Sequence, residues 1–155
     1  LRGTLSNTTF AGEVPGSDKR FSFAVPLRAG GKTLCVFEAA IDALSYLTLL
    51  KLRGKGWRAA NTLSLAGIYQ PRKDGSIRLP AALEQYLKDN PGVERIVLCL
   101  DNDAPGRAAS AAIQRRLSGY DVIDNPPRSG KDYNDQLRLV KGISGRVRTR
   151  GGEAR

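Results

Sequence analysis

Histidine and methionine are both absent from the 155 residues, and cysteine occurs only twice. Without histidine there is no imidazole base, no Ser-His pair and no His-ligated zinc. Two cysteines without a histidine leave a zinc site half-ligated. Cys35 and Cys99 sit in the apolar runs LCVF and IVLCL. Buried free thiols are the expected state there, with a disulfide between neighbouring strands as the alternative. No apolar run approaches the roughly 20 residues of a membrane-spanning helix, and no signal-peptide layout opens the chain. With Leu1 first and no methionine, the sequence is expected to be a piece of a longer protein, cytoplasmic by its cysteine usage. Acid is the minority charge: 15 Asp+Glu stand against 25 Lys+Arg, a formal net charge of +10. Whatever chemistry occurs must therefore use carboxylates, lysines, hydroxyls or a hard metal, and the basic excess points to a polyanionic partner.

The length suits one domain with its own core, and 41% hydrophobic against 26% charged residues fits a globular chain. Residues 1–30 read as irregular β structure, the end of a preceding companion domain or a β extension. Within them Thr4–Phe10 and Phe21–Leu27 are β-prone runs forming a loose hairpin or edge pair. The pattern then changes. Leu34–Phe37 is a continuous apolar run, as in a strand buried on both faces. Ile41, Leu44, Leu47 and Leu50 follow at helical spacing, with Gly54 as the stop. Thr62–Leu65 predicts a second strand, and Pro80 opens a helix to about Lys88. Ile96–Leu100 is the clearest strand, Pro105 begins an Ala-rich helix ending near Gly119, Tyr120–Ile123 is a fourth strand, and Asp132–Val140 a last helix. This alternation predicts a mostly parallel four-stranded α/β sheet flanked by helices over residues 31–141. From Gly142 to Arg155 the chain reads as a flexible basic tail.

Ligands of parallel sheets collect at the carboxyl ends of the strands. There the sequence places acids: Glu38 directly after the first buried run, then Asp101 and Asp103 after the third. In extended backbone the two aspartates lie on one side, about 7 Å apart at Cα. Carboxylates gathered at one edge repel each other, and a hard divalent cation relieves the repulsion. Helix capping is the ordinary alternative for Asp103, just ahead of Pro105. Gly31-Lys32-Thr33 imitates the end of a P-loop, but it precedes a strand and Pro26 stands where the first glycine is needed.

The runs Val36-Phe-Glu-Ala-Ala-Ile-Asp42, Ser64-Leu-Ala-Gly67, Leu100-Asp-Asn-Asp-Ala-Pro-Gly-Arg107 and Gly130-Lys-Asp-Tyr-Asn-Asp135 together resemble the Toprim domain of bacterial primases and topoisomerases. Arg2-Gly-Thr and Pro15-Gly-Ser-Asp-Lys-Arg20 resemble the companion segment of primase-like proteins from conjugative and other mobile elements. The resemblance implies a Rossmann-like Toprim sheet and Mg²⁺ (Mn²⁺ substituting) held by Asp101, Asp103 and Glu38, with Glu38 as general acid/base. It makes Asp42, Gly67, Lys131 and Asp132 supporting residues. The implied activity is nucleotidyl transfer on DNA within a primase-like protein whose other domains are missing from the chain. DNA is then the partner, with RNA primer and nucleotides beside it. Alternatives are a Toprim nuclease, topoisomerase-type cleavage, or a binding module without catalysis. Arg107, Arg128 and Lys131 are the expected nucleic-acid contacts near the site. A second basic group, Lys51, Arg53, Lys55 and Arg58, surrounds Trp57.

Overall fold

The computed structural model describes residues 2–5, 8–11, 15–26, 31–59, 61–67 and 78–143. Of the expected basic tail, residues 144–155 lie outside the described residues. Strands β1 (Arg2–Leu5) and β2 (Thr8–Ala11) pair antiparallel as a small separate sheet. The main sheet contains β3 (Ala24–Val25), β4 (Thr33–Phe37), β5 (Asn61–Ser64), β6 (Arg95–Leu98) and β7 (Asp121–Asp124). Helices α1 (Ala40–Leu52), α2 (Ala81–Asp89), α3 (Ala104–Arg116) and α4 (Tyr133–Val140) alternate with its parallel strands.

The sheet order is β3-β5-β4-β6-β7, with β4 through β7 mutually parallel and β3 antiparallel at the edge beside β5. The four parallel strands are those the sequence predicts. The fifth is a difference: the first run forms a hairpin by itself, and Ala24–Val25 joins the main sheet rather than pairing with it. Chain order leaves β4 towards β5 on one side and resumes on the other with β6. The order therefore reverses between β4 and β6, and the crevice at such a reversal is where open α/β sheets bind ligands.

Strand β4 shows how the core is divided. Leu34 and Val36 pack with Ile96 and Leu98 of β6 against Leu83 and Leu87 of α2 and Ile113 of α3. Cys35 and Phe37, one residue out of phase, pack on the opposite face with Ala43 and Leu49 of α1 and Tyr133 of α4. Alternation of side chains across the pleat makes one apolar run serve two cores. Both cysteines are free and buried in that second layer.

Helix α1 departs from its apolar spacing. Ile41 and Leu44 are 50% and 45% exposed, whereas Asp42 and Ser45 are buried. The cause is α4, whose N-terminus lands on the polar side of α1. Asn134 N–H donates to Asp42 Oδ1 at 3.2 Å, and the Ser45 hydroxyl donates to Asn134 Oδ1 at 3.4 Å. Polar partners brought from a distant segment outweigh the apolar stripe, because a buried donor left unpaired is costly. Among the described residues no helix is long and apolar enough to cross a membrane.

Candidate active site at the sheet edge

Glu38 follows β4 directly and is fixed at both ends. Its backbone carbonyl accepts from Gly67 N–H at 3.0 Å and from the Ser64 hydroxyl at 3.4 Å, both at the end of β5. Gly67 reaches it with φ +135°, a conformation open to glycine, and Ala66 beside it also has positive φ. The Glu38 side chain, 7% exposed, crosses towards β6, where Oε1 accepts from Asp101 N–H at 3.2 Å. Glu38 and Asp101 thus meet at the reversal between β4 and β6.

Asp103 caps α3, its Oδ1 accepting from Gly106 N–H at 2.9 Å. Its other oxygen faces Lys131. The Lys131 ammonium lies 3.2 Å from Asp101 Oδ2 and 3.2 Å from Asp103 Oδ2. The loop carrying it is pinned by Asn102 N–H donating to Lys131 O at 2.7 Å. Asp132 caps α4 through Asp135 N–H at 2.7 Å.

The electrostatics follow from this layout. Burial, then repulsion from Asp101, pushes the Glu38 carboxyl above its usual range. Burial also raises Asp101, with the Lys131 ammonium working in the opposite direction. Asp103 is held below its usual range, first by the Gly106 N–H and then by Lys131. Lys131 is raised by its bonds to Asp103 and Asp101.

Four sequence-predicted residues therefore meet here: Glu38, Asp101, Asp103 and Lys131. Gly67 and Asp132 shape the backbone around them. Asp42 is placed elsewhere, tying α1 to α4. Arg107 is not left free for a phosphate. Its Nε and Nη2 donate to Asp101 O at 3.2 and 3.1 Å, Nη2 also to Leu100 O at 2.9 Å, and Nη1 pairs with Asp124 at 2.6 Å. It clamps the ends of β6 and β7 together. Arg107→Met removes the donors from those two carbonyls and leaves Asp124 without its arginine. A loss of about 1–3 kcal/mol is expected in urea denaturation. Arg128 lies in the loop before α4, its N–H bonded to Gln136 Oε1 at 2.8 Å.

Gly106 is the residue that the sequence pattern did not single out. A Cβ there would lie 2.2 Å from Asp101 O and 3.0 Å from Glu38 Oε1. The signal was available: a glycine in the first turn of an otherwise Ala-rich helix weakens it by roughly 0.5–1 kcal/mol unless close packing requires it.

Among the described residues no three His, Cys, Asp or Glu side chains gather closely enough to hold a metal ion. The three-acid cage expected from the sequence is thus replaced by two aspartates sharing Lys131, with Glu38 bonded to the backbone beside them. The donor chemistry still fits Mg²⁺, which is commonly held by one or two carboxylates together with water and substrate phosphate. All donors are carboxylate oxygens, and a cation already stands between two of them.

The chain matches the Toprim-like family model over residues 35–137 and belongs to that family. Among solved structures it is similar to the primase fragment of the bacteriophage T7 primase-helicase protein, at 22% identity and TM-score 0.47, over 76% of this chain and 42% of that one. It is also similar to a split-gene transketolase, an inactive beta4 tetramer, at 16% identity and TM-score 0.45, over 87% of this chain and 40% of that one. The chain spans less than half the length of either. No curated protein matches it.

Proposed function

We propose that this chain is the Toprim catalytic domain of a primase-like protein from a bacterial mobile element, performing Mg²⁺-dependent nucleotidyl transfer on DNA. The observation that supports this reading is Glu38 Oε1 on the Asp101 backbone N–H, beside the Asp101 and Asp103 carboxylates that share Lys131, in the crevice where strand order reverses. The mobile-element context rests on the resemblance of Arg2–Thr4 and residues 15–20 to the companion segment of such proteins.

Bound Mg²⁺ supplies charge neutralisation at the phosphate oxygens during phosphoryl transfer. Asp101 and Asp103 are the residues that would hold it. Glu38 takes the proton from the attacking hydroxyl, with bound Mg²⁺ favouring its ionised form. The Asp101 N–H keeps the Glu38 side chain aimed across the crevice. Lys131 neutralises the aspartates in the absence of metal and contacts substrate phosphate once released from them. The general basic excess holds the DNA backbone, so binding weakens as salt rises.

Lys131 competes with any cation for the two aspartates. Lys131→Met is expected to tighten Mn²⁺ binding about fivefold or more, since a unit charge at 4 Å is worth roughly 1 kcal/mol even in water. Isothermal titration checks this; unchanged affinity would separate Lys131 from the cation site.

Extension of a labelled primer on single-stranded template, with and without Mg²⁺ and using the complete parent protein, tests the function. Mg²⁺-dependent extension that fails in Asp101→Asn supports it. Strand cleavage in place of extension supports the nuclease alternative, and metal-independent retention of DNA without chemistry contradicts both.

A further inference from the structure

A second site is built on the opposite end of α1. A pocket of about 180 Å³ opens there between the end of α1, the turn after it, the loop after β7 and α4. It shares no lining residue with the Glu38–Asp101–Asp103–Lys131 cluster. Its polar rim is cationic: Arg53 and Lys55 come from the turn after α1, and Arg128 from the loop before α4. No carboxylate lines it, and among the described residues none of the three cations is in an ion pair.

The turn fixes the first two. Arg53 N–H caps Leu49 O and Leu50 O at 3.1 and 3.2 Å, Gly54 reverses the chain at φ +64°, and Lys55 N–H returns to Leu50 O at 2.9 Å. The helix C-terminus favours cations by its dipole, which accounts for part of this placement. It does not account for Arg128, which arrives from a separate segment. Nor does it account for Gln136. That side chain is 3% exposed and lines the pocket, with Oε1 occupied by Arg128 N–H at 2.8 Å. Its Nε2 donates to no group among the described residues. That amide nitrogen keeps contact with solvent and remains a donor available to a ligand in the pocket.

We propose that this pocket binds the phosphate and sugar of a nucleotide and leaves the base outside. Three cations and the Gln136 Nε2, beside the neutral Asn125 and Tyr133, give a positively charged lining suited to the charge-assisted hydrogen bonds of a phosphate. Leu49, Leu50 and the ring of Tyr46 give the apolar wall a deoxyribose face needs. The volume is below the roughly 300 Å³ at which pockets enclose drug-sized ligands, so the base has no room and is not read. The choice of nucleotide over other phosphate esters rests on the nucleic-acid reading above.

Amide chemical-shift titration of the ¹⁵N-labelled chain tests the pocket. Thymidine 5′-monophosphate and deoxyadenosine 5′-monophosphate are expected to move the amides of Gly54, Lys55, Arg128 and Gln136 with similar affinities, while thymidine moves none. Arg53→Gln with Arg128→Gln, both at exposed positions, should weaken the nucleotides at least tenfold without altering the remaining spectrum. Absence of pocket shifts with both nucleotides, or shifts that the double variant leaves unchanged, overturns the proposal. Inorganic phosphate binding as tightly as the nucleotides overturns the nucleotide assignment. A short oligothymidylate separates the two readings. Shifts around Glu38 and Asp101 without pocket shifts leave the nucleic-acid reading standing and remove the pocket. Mononucleotides in the pocket with no oligonucleotide binding anywhere do the reverse, leaving a free-nucleotide site.

Discussion

Glu38→Gln is expected to lower Mg²⁺-dependent turnover of the parent protein by about 10²–10⁴-fold, the usual contribution of a positioned acid or base. The substitution is close to isosteric, and its amide oxygen still accepts the Asp101 N–H that Glu38 Oε1 accepts at 3.2 Å. Divalent binding, proposed for Asp101 and Asp103, is expected to stay, so the loss should appear in chemistry rather than in metal affinity. Stability moves in the opposite direction. The folded-state pKa of Glu38 is raised by burial and by Asp101. A carboxyl of that kind contributes stability below its unfolded pKa and loses it as pH rises through the raised folded value. In metal-free buffer the Gln variant should therefore melt above the wild type near neutral pH. The advantage should vanish in acid, once both states of Glu38 are protonated. A variant that keeps full turnover would remove Glu38 from the mechanism. One that melts lower at neutral pH would deny that its carboxylate is under strain from burial and its neighbour.

Gly106→Ala is the second large effect, and its sign is diagnostic. Alanine in place of glycine within a helix ordinarily stabilises by about 1 kcal/mol. Here the new methyl would sit 2.2 Å from Asp101 O, 2.9 Å from Asp101 C and 3.0 Å from Glu38 Oε1. Two of the three atoms are backbone and cannot rotate away. Either α3 withdraws from the end of β6 or the Asp101 peptide shifts, and both move the Glu38–Asp101 contact. A net loss of about 1–3 kcal/mol in urea denaturation is expected, the range for overpacking a tight site. Divalent binding should weaken with it. A variant more stable than wild type would show that α3 does not approach the acids as closely as described.

Two of the parallel strands were legible as short apolar runs of strand length, and the other two as short segments bounded by turn residues. Leu34–Phe37 and Ile96–Leu98 declare themselves by composition alone. The acids were legible because the end of a parallel strand is a fixed place in the fold, so Glu38 and Asp101 needed only their strands to be found. Three features were not. The apolar spacing of α1 misassigns Ile41 and Leu44, because the partner that buries Asp42 and Ser45 arrives from α4, distant in sequence. Arg107 looked like a phosphate contact because its charge is visible in sequence and its acceptors, the Leu100 and Asp101 carbonyls and Asp124, are not. Lys131 was visible as a supporting residue, but its position between two aspartates depends on the loop pinned by Asn102, which no local pattern encodes.

The cation itself is tested most directly by crystals soaked in Mn²⁺ and measured for anomalous scattering. The account predicts a peak at the Asp101 and Asp103 carboxylates, beside Glu38, with the Lys131 ammonium moved away from the 3.2 Å positions it holds on both. Full soaking with no peak there, and Lys131 still bridging the two aspartates, would contradict it.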